Sequence, residues 1–494
     1  MKVIRSLFRE DILVKEEIKE YDLVVIGSGP AGEKGAAQAA YFGKSVALVE
    51  REKFLGGSAA STAIPCKTLR ETSLALSGIR ARKLYGVDLS LKRQATVNDF
   101  LYHERTVKNA ERNRVKRNIE RHKISFYRGN ASFIDKKTIK VDNDKNSIFL
   151  KGDVILIATG SSPRKPEGFP KDNRIYNSDT ILSLKTIPKS LVVVGGGVIG
   201  CEYACIFSEL GLDVSLIHNK DILLPFLDHD ISIALKKNLS KMGINLFMPD
   251  RVDSCSADKK NICTELESGN TIKAEMLMLA IGRSSNTEQL NLHKAGIKTG
   301  KYGLLVVDDN YQVIDPDTEK PMPGIYAAGD VIGRPSLAST SMEQARYAMI
   351  KAFNLEPYKE HVAPILPLGI YTIPECSSAG KTEEECKDEQ IEYVVGKAYY
   401  HQNARGQIIG DKDGFLKMIF EFNDDLGEPM RLLGVHIIGE IASELIHIGV
   451  NGLIMKANSN LFIDTCFNYP TLCELYKYAT YDAMGKREKR LESK

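Results

Sequence analysis

The sequence predicts an α/β protein that contains two copies of the same strand–turn–helix domain, and three observations support this prediction. The chain has 494 residues, which is enough for about three domains. Hydrophobic residues make up 43% of it and charged residues 27%, a balance that allows sizeable cores. Two short glycine motifs each follow an apolar run and open a stretch of small residues, which is typical of a buried parallel strand that leads into a helix.

The first glycine motif lies in residues 21–32, which read YDLVVIGSGPAG and place Gly27, Gly29 and Gly32 in GxGxxG spacing. In this motif the first glycine makes a tight turn, the second lets the backbone approach a diphosphate, and the third lets helix pack on strand. The helix N-terminus then faces the diphosphate charge. The following run SVALVE ends at Glu50, eighteen residues after Gly32, where an acid can bind ribose hydroxyls.

The second glycine motif lies in residues 191–200, which read LVVVGGGVIG and place Gly195, Gly197 and Gly200 in the same spacing. One such motif alone is weak evidence, because a glycine-rich turn can serve packing only. Two copies in the same strand–turn–helix context predict two Rossmann-like dinucleotide sites.

The ribose position of the second copy differs from that of the first. The next strand ends in LIHNKD, so His218, Asn219 and Lys220 stand where the first copy has Glu50. No acid would repel a 2′-phosphate there, and Lys220 would attract one, but no arginine pair requires it. The sequence therefore permits NADPH without excluding NADH. The alternative is that these are ordinary surface residues at a strand end.

Three further motifs complete a family pattern: ILIATGSSP at 155–163, LAIGR at 279–283 and IYAAGDVIG at 325–333. Together with the glycine motifs they resemble the flavoprotein disulfide reductases, which include glutathione reductase and lipoamide dehydrogenase. The resemblance implies an α/β fold with two Rossmann-like domains, for FAD and NAD(P), plus an α+β C-terminal dimerisation domain. It also implies that Gly160 and Asp330 bind FAD, with Asp330 at the ribityl chain, and that Gly282 binds NAD(P).

The resemblance further implies where the domains begin and end. We expect an N-terminal extension over 1–20, an FAD-binding domain over 21–160 and 286–360, an NAD(P)-binding domain over 161–285, a dimerisation domain over 361–484 and a polar tail over 485–494. The first twenty residues carry several acids and no long apolar block, so they resemble neither a signal peptide nor a transit peptide. A short surface helix is the expectation there.

Residues 56–69 read GGSAASTAIPCKTL and correspond to the redox-active disulfide loop of the family, GG-x-C-x-x-x-x-C-x-P-x-K. The Ile-Pro-Cys-Lys run fixes the alignment, so Ser58 takes the first cysteine position and Ala63 the second. Neither side chain can form a disulfide. Cys66 has no partner nearby in the sequence, and a lone cysteine is more often a small buried hydrophobe than a nucleophile. The dithiol route for electrons is therefore predicted to be absent.

The far end of the chain shows a matching loss. The family places a catalytic histidine in an HPTxxE motif, whereas residues 467–474 read FNYPTLCE, with Tyr469 in the histidine position and Glu474 kept. A phenol with a pKa of about 10 is a poor acid–base partner for a thiol at neutral pH. In contrast, Lys67 and Glu202 match the family's ion pair beside the flavin N5 and the nicotinamide. The alternative for that pair is a purely structural salt bridge.

One branch of the family combines these features, the soluble pyridine nucleotide transhydrogenases. Residues 198–210, 331–339 and 369–382 resemble that branch in particular, although Ser58 and Ala63 depart from the cysteine and threonine expected there. The resemblance implies ping-pong hydride transfer from NADPH to NAD⁺ through FAD, with Lys67, Glu202, Tyr469 and Glu474 at the catalytic site. The alternatives are an NAD(P)H diaphorase or quinone reductase on the same scaffold, and a non-catalytic FAD-binding interaction protein.

Composition excludes several other classes of function. A formal net charge of +3 does not suggest nucleic acid as a partner, and no apolar run is long enough to span a bilayer. The basic stretch at 104–123 carries interleaved glutamates at helical spacing, which favours a solvated helix. Nine cysteines without CxxC spacing argue against a disulfide framework. We therefore expect a cytoplasmic homodimer, or a higher homo-oligomer, that binds no metal, nucleic acid or membrane.

Overall fold

The structure is a computed structural model that describes residues 18–77, 96–143, 146–333, 335–356 and 362–493. The chain divides into two compact units, of which the first takes in 1–57, 114–161 and 285–360 and the second 58–113, 162–284 and 361–494. The surface helix was expected within residues 1–20, of which 1–17 lie outside the described residues and 18–20 belong to a strand, and the expected boundary at 360/361 also falls outside the described residues.

The first unit is built on a mostly parallel sheet. Its strands are β1 (Ile18–Ile26), β2 (Val46–Glu50), β3 (Ser125–Arg128), β4 (Asn130–Phe133), β5 (Thr138–Asp142), β6 (Ser147–Ile157), β17 (Gln312–Ile314) and β18 (Pro321–Ala327). The order is β17-β18-β6-β1-β2-β3; β5 pairs antiparallel with β6, and β4 pairs antiparallel with β5. All five residues of VALVE in β2 are buried, as expected for a parallel strand that is covered on both faces. Helix α1 (Pro30–Tyr41) packs against helix α6 (Ala338–Phe353).

The second unit repeats this architecture in a five-stranded parallel sheet. Its strands are β8 (Ile175–Asn177), β9 (Ser190–Val194), β10 (Asp213–Ile217), β11 (Asn245–Phe247) and β15 (Met276–Leu279), in the order β11-β10-β9-β15-β8. Helix α4 (Val198–Glu209) follows β9, and helix α5 (His229–Lys241) lies between β10 and β11 in the chain. A separate antiparallel sheet is formed by β12 (Val252–Ala257), β13 (Ile262–Leu266) and β14 (Thr271–Ala274).

The C-terminal part of the second unit is an antiparallel sheet with helices packed on it. The strands are β19 (Leu368–Ile370), β20 (Glu375–Gly380), β21 (Tyr393–Tyr399), β22 (Phe415–Glu421) and β23 (Leu432–Gly439), in the order β19-β20-β23-β22-β21. The helices are α7 (Glu383–Asp388), α8 (Ala404–Ile409), α9 (Ala442–Ile454), α10 (Ser459–Asp464) and α11 (Leu475–Glu492). Every residue of β23 is buried, and both α9 and α5 pack on this strand. Helix α9 also packs on β20, while α11 packs on β21 and β22.

The remaining elements are α2 (Ile64–Ser77), α3 (Val97–Arg121), β7 (Ser161–Pro163) and β16 (Arg283–Ser285). The stretch predicted as a solvated helix at 104–123 lies largely in α3, whose side chains are mostly exposed or half-buried. The predicted polar tail is helical as far as Glu492. Among the helices of the described residues, none has the length and apolar character needed to cross a membrane. The predicted fold class, two Rossmann-like domains plus an α+β C-terminal domain, is confirmed.

Candidate functional site

The glycine turn of the first unit leaves one open position. Gly27 has a φ of +104°, and a Cβ placed on it would lie 2.4 Å from the Ala158 carbonyl oxygen. A Cβ on Gly32 would lie 1.8 Å from the Gly27 carbonyl oxygen, so strand and helix touch there. A Cβ on Gly29, in contrast, would meet nothing within 4 Å. The first and third glycines thus serve packing, while the second leaves the helix N-terminus open to a ligand.

The glycine turn of the second unit repeats this arrangement. Gly195 has a φ of +112°, and its Cβ would lie 2.4 Å from the Ala280 carbonyl oxygen. A Cβ on Gly200 would lie 1.8 Å from the Gly195 carbonyl oxygen, and one on Gly197 would meet nothing within 4 Å. The two turns therefore have the same shape, and each presents an open helix N-terminus.

Glu50 ends β2 and is tied to the glycine turn of the first unit. One carboxylate oxygen accepts hydrogen bonds from the Ser28 backbone N–H at 2.9 Å and the Ser28 hydroxyl at 2.7 Å. The other accepts from the Glu52 N–H at 2.9 Å. These three hydrogen bonds fix the buried side chain in place. Because two carboxylate oxygens offer about four acceptor positions, Glu50 still has the capacity to accept from ribose hydroxyls.

Gly160 and Asp330 are linked in the first unit through Ser161, the residue that follows Gly160. The Ser161 hydroxyl donates to Asp330 Oδ2 at 2.8 Å, and the Asn286 N–H donates to the Gly160 carbonyl at 3.0 Å. The Thr159 hydroxyl oxygen is buried without a hydrogen-bond partner within the described part of the chain. A buried hydroxyl of this kind is costly unless a ligand or water satisfies it. The first unit thus has an acceptor, an open turn and an unsatisfied hydroxyl suited to a dinucleotide.

Lys67 and Glu202 meet in the second unit, although 135 residues separate them in the sequence. The Lys67 ammonium donates to both carboxylate oxygens, at 2.9 and 2.7 Å. Glu202 is 2% exposed, whereas the Lys67 side chain is 33% exposed. The Tyr371 N–H donates to Glu202 Oε1 at 2.9 Å, and the Lys67 nitrogen lies 5.1 Å from the centre of the Tyr371 ring. The ammonium is thereby held in one position and remains partly accessible.

Electrostatics keep the Lys67 ammonium charged and the neighbouring thiol protonated. Burial alone would lower the pKa of Lys67, but the Glu202 carboxylate outweighs burial and the pKa is raised. The Cys66 thiol donates to Glu202 Oε2 at 3.6 Å. Burial, and then the charge of Glu202, raise the pKa of Cys66 far above its usual range. Cys66 is therefore neither a thiolate nor a nucleophile at neutral pH.

The segment that corresponds to the family's disulfide loop is a helical turn. Residues Ala59–Ala63 form a π-helical turn in which the Ile64 N–H donates to the Ala59 carbonyl, and this turn continues directly into α2. Ser58 and Ala63 are both exposed. The Thr62 hydroxyl adds a bond to the Ser58 carbonyl at 2.8 Å. Backbone hydrogen bonds thus hold the segment that a disulfide would otherwise brace.

Tyr469 and Glu474 are the residues that the sequence resemblance aligns with the family's acid–base pair. The Tyr469 side chain is 75% exposed in the single chain. Glu474 forms a capping box with Thr471 at the start of the short helical turn Leu472–Glu474. Its carboxylate therefore caps a helical turn, which is a structural use of the one member of the family's pair that the sequence keeps.

Of the three residues expected at the ribose position of the NAD(P) site, two are exposed to solvent and one packs against the glycine turn. Lys220 and Asn219 are exposed, but the His218 ring is turned inward and accepts a hydrogen bond from the Gly196 N–H at 3.3 Å. At Gly282, which has a φ of +107°, a Cβ would lie 2.1 Å from the Arg164 guanidinium. Arg164 immediately follows the ATGSSP motif, but nothing in that motif predicts that its guanidinium lies against Gly282.

A carboxylate cluster that resembles a metal site is filled by a side chain. Asp228, Asp230 and Glu383 bring their oxygens within 4.8 Å of one another. The Lys417 ammonium donates to Asp228 at 2.7 Å, to Asp230 at 2.6 Å and also to Glu383. The lysine thus occupies the position that a cation would take.

Comparison with protein families identifies the chain. The model of the pyridine nucleotide-disulphide oxidoreductases matches residues 21–345, and that of the dimerisation domain of the same family matches residues 366–480. A soluble pyridine nucleotide transhydrogenase of Mycobacterium bovis is 41% identical over 473 residues, covering 95% of this chain and 98% of that protein. A protein of the same name from Aliivibrio fischeri is 38% identical over 472 residues, covering 94% of this chain and 97% of that protein.

Solved structures agree with this result. LpdA from Mycobacterium tuberculosis superposes with a TM-score of 0.82 at 25% identity, covering 94% of this chain and 99% of that one. The HOCl-induced flavoprotein disulfide reductase RclA from Escherichia coli gives a TM-score of 0.80 at 24% identity, covering 94% of this chain and 99% of that one, which supports the fold alone. The resemblance stated from the sequence is thereby confirmed. The chain belongs to the pyridine nucleotide-disulphide oxidoreductase family, whose members use FAD and NAD(P).

Proposed function

We propose that this protein is an FAD-dependent NAD(P)⁺ transhydrogenase that moves a hydride from NADPH to NAD⁺ in a ping-pong reaction. Relatives of that name match almost the whole chain at 41% and 38% identity. One observation carries the proposal: the Lys67–Glu202 pair is intact, whereas Ser58 and Ala63 replace the two redox cysteines. The residues expected to serve hydride transfer from the nicotinamide to the flavin are therefore kept, whereas the dithiol that would take electrons from the flavin is missing.

For FAD we assign the domain over 21–160 and 286–360. The residues are Gly27, Gly29, Gly32, Glu50, Gly160 and Asp330, with Lys67 at the ring. The open face of Gly29 and the unsatisfied Thr159 hydroxyl support a ligand there. When bound, FAD supplies a two-electron carrier that takes a hydride from one nicotinamide and returns it to another. Glu50 would accept from ribose hydroxyls, and the α1 N-terminus would face the diphosphate.

For NAD(P) we assign the domain over 161–285 and one pocket that binds the two nucleotides in turn. The residues are Gly195, Gly197, Gly200, Glu202, His218, Lys220 and Gly282. The exposed Lys220 ammonium would attract a 2′-phosphate. The position where the first unit has Glu50 holds no carboxylate that would select NAD(H) alone. This composition suits an enzyme that must accept both nucleotides.

Lys67 and Glu202 we assign as the catalytic pair. The raised pKa of Lys67 keeps the ammonium charged at neutral pH, and Glu202 with the Tyr371 N–H holds it in one position. A fixed positive charge stabilises the negative charge that develops during hydride transfer, without reorganisation. For Tyr469, which stands in the dimerisation domain, we propose contact with the second subunit of the homodimer, and for Glu474 support of that turn.

Transhydrogenation is tested most directly in two half-reactions. In stopped-flow experiments NADPH is expected to reduce the bound flavin, and NAD⁺ is then expected to reoxidise it after the NADP⁺ is removed. The long-wavelength absorption that a thiolate beside the flavin produces should not appear, because Cys66 stays protonated. Reoxidation by quinones or dyes but not by NAD⁺ would instead identify a diaphorase.

A methyl group added to the third glycine of either turn is expected to weaken the binding of one cofactor and not of the other. Gly32→Ala should lower the FAD content of the purified protein, because its Cβ would lie 1.8 Å from a carbonyl oxygen. Gly200→Ala has the same clash and should keep FAD but raise the Kd for both nucleotides at least tenfold. Gly485→Ala is the control, since a Cβ there meets nothing within 4 Å. Flavin absorbance and calorimetric titration measure the two effects, and equal loss of FAD in both variants would contradict separate sites.

The cytoplasm is our proposed location. All nine cysteines are free in the chain, and five of them are buried: Cys66, Cys201, Cys205, Cys376 and Cys386. Unpaired cysteines at this number suit a reducing compartment, where disulfides rarely persist.

A further inference from the structure

His218 is fixed by its backbone on both sides. It follows β10 directly, its N–H donates to the Phe247 carbonyl at 2.9 Å, and its carbonyl accepts from the Asp250 N–H at 2.8 Å. These two bonds extend the pairing of β10 with the neighbouring chain segment. The side chain therefore leaves a rigid backbone, and its direction is determined.

The imidazole lies against the glycine turn of the NAD(P) site. Nδ1 accepts the Gly196 N–H at 3.3 Å, and a Cβ on Gly196 would lie 2.8 Å from His218 Cγ and 2.7 Å from Leu223 Cδ2. Gly196 is the residue between Gly195 and Gly197 of the motif. Because Nδ1 accepts, the proton of the neutral ring is on Nε2. Nε2 is itself shielded from solvent and has no hydrogen-bond partner of good geometry among the described residues.

We propose that His218 is a positioning residue for the coenzyme, whose neutral imidazole holds the glycine turn in its binding shape by accepting the Gly196 N–H. The proposal rests on the assignment of this site to NAD(P). Protonation would turn Nδ1 into a donor that opposes the Gly196 N–H, so the turn would be released. Since the diphosphate is common to both nucleotides, affinity for NAD(H) and NADP(H) would fall together.

The surroundings of the ring favour the neutral form. Burial lowers the pKa of His218, and the Lys220 ammonium lowers it further, whereas the contact with the Ile222 backbone raises it in part. On the segment after β11, the Asp250 carboxylate is engaged by the Ser268 hydroxyl and the Arg251 N–H. The ring is therefore neutral at pH 7 and above. The contribution of His218 to coenzyme binding is present above its lowered pKa and is lost as the pH falls through it.

A direct role at the 2′-phosphate would have the opposite signature. A charged imidazolium in contact with that phosphate would strengthen NADP⁺ binding as the pH falls, and it would leave NAD⁺ unaffected. The ring faces Gly196, whereas the exposed Lys220 is the cation available to a phosphate. Affinity for both nucleotides is thus assigned to His218, and discrimination between NADP(H) and NAD(H) is assigned to Lys220 in the same loop.

The test is calorimetric titration of the FAD-loaded dimer with NAD⁺ and with NADP⁺ between pH 5.5 and 8.5. His218→Leu, which has no acceptor, is expected to weaken both nucleotides by a similar factor of five or more at pH 8. His218→Asn retains an oxygen acceptor that does not titrate, so it should bind nearly as wild type and lose the acid-induced weakening. Lys220→Ala is the matched control and should weaken NADP⁺ selectively. Because the 2′-phosphate itself titrates near pH 6, NADP⁺ data are compared with His218→Asn at each pH.

Several outcomes would overturn the proposal. Selective loss of NADP⁺ in His218→Leu, or stronger NADP⁺ binding by wild type than by His218→Asn in acid, would place the ring at the 2′-phosphate. Wild-type behaviour of both variants at every pH would remove any positioning role. If His218→Leu does not fold, the comparison of wild type with His218→Asn decides. Absent transhydrogenation with normal binding would count against the proposed function alone, because the titrations require no turnover.

Discussion

Lys67→Met is expected to slow the reduction of bound flavin by NADPH about 10²–10³-fold, the cost typical of losing one preorganised electrostatic group. The Lys67 ammonium contacts both oxygens of Glu202 at 2.9 and 2.7 Å, and the 33% of the side chain that is exposed is available to a ligand. Methionine keeps much of the side-chain volume but removes the charge. Stopped-flow absorbance at saturating NADPH measures the limiting rate, and the Kd for NADPH is expected to change much less.

Stability must be separated from catalysis in this variant, because it leaves the Glu202 carboxylate buried without its cation. Removing one partner of a buried pair is strongly destabilising, whereas replacing both by apolar groups is often neutral. The double variant Lys67→Met/Glu202→Leu should therefore recover thermal stability and remain slow. Lys486→Met, which removes an exposed pair with Asp482, should have wild-type rate and stability. Fast flavin reduction in the double variant would show that the pair is a structural salt bridge only.

The sequence was sufficient where local rules decide the geometry. The two glycine motifs predicted two turns, and in each turn a Cβ added to the third glycine would lie 1.8 Å from the carbonyl oxygen of the first. That result follows from the spacing alone, because only glycine permits strand and helix to approach so closely. Apolar runs that alternate with helical stretches likewise predicted the α/β class, whereas the order of the strands in each sheet is known only from the structure.

The sequence was not sufficient where side-chain direction depends on distant residues. His218 was predicted at the ribose position, but no local pattern indicated that its ring accepts the N–H of Gly196, which is 22 residues earlier in the chain. The Tyr371 N–H reaches Glu202 across 169 residues, and no local pattern announces such a bond. The π-helical turn at Ala59–Ala63 was also unforeseen, since the family pattern describes the loop by cysteines that this chain lacks.

The Lys417 cluster illustrates the same limit and supports the second prediction. Lys417 Nζ contacts Asp228, which precedes it by 189 residues, and both side chains are almost fully buried. Asp228 also accepts the Asp230 N–H at the start of α5, so one carboxylate both caps a helix and binds a buried ammonium. The cluster joins α5 of the parallel-sheet region to β22 of the antiparallel sheet within the second unit.

Charge and burial define how this cluster responds to pH. Burial would lower the pKa of Lys417, but Asp228 and the other two carboxylates outweigh it and raise the pKa. Burial would raise the pKa of Asp230, yet Lys397 and Lys417 lower it to about 2. The stabilisation from Asp230 is therefore present above its ordinary pKa and is lost only as the pH falls toward 2. That from Lys417 persists until the pH exceeds the ordinary lysine range.

Lys417→Met is accordingly expected to lower the free energy of unfolding by about 3–5 kcal/mol, the cost of leaving a buried carboxylate without its partner. The loss should be largest above neutral pH and should shrink as the pH falls, because Asp230 without the Lys417 charge takes up a proton at a higher pH than in the wild type. Urea unfolding of the FAD-loaded protein, followed by circular dichroism, measures it. The control is Lys241→Met, whose ion pair with Asp413 joins the same two regions but is 47% exposed on both sides, so its loss should stay below about 1 kcal/mol. If the two variants lose equal stability, burial does not set the strength of this cluster, and its role in joining α5 to β22 would have to be abandoned.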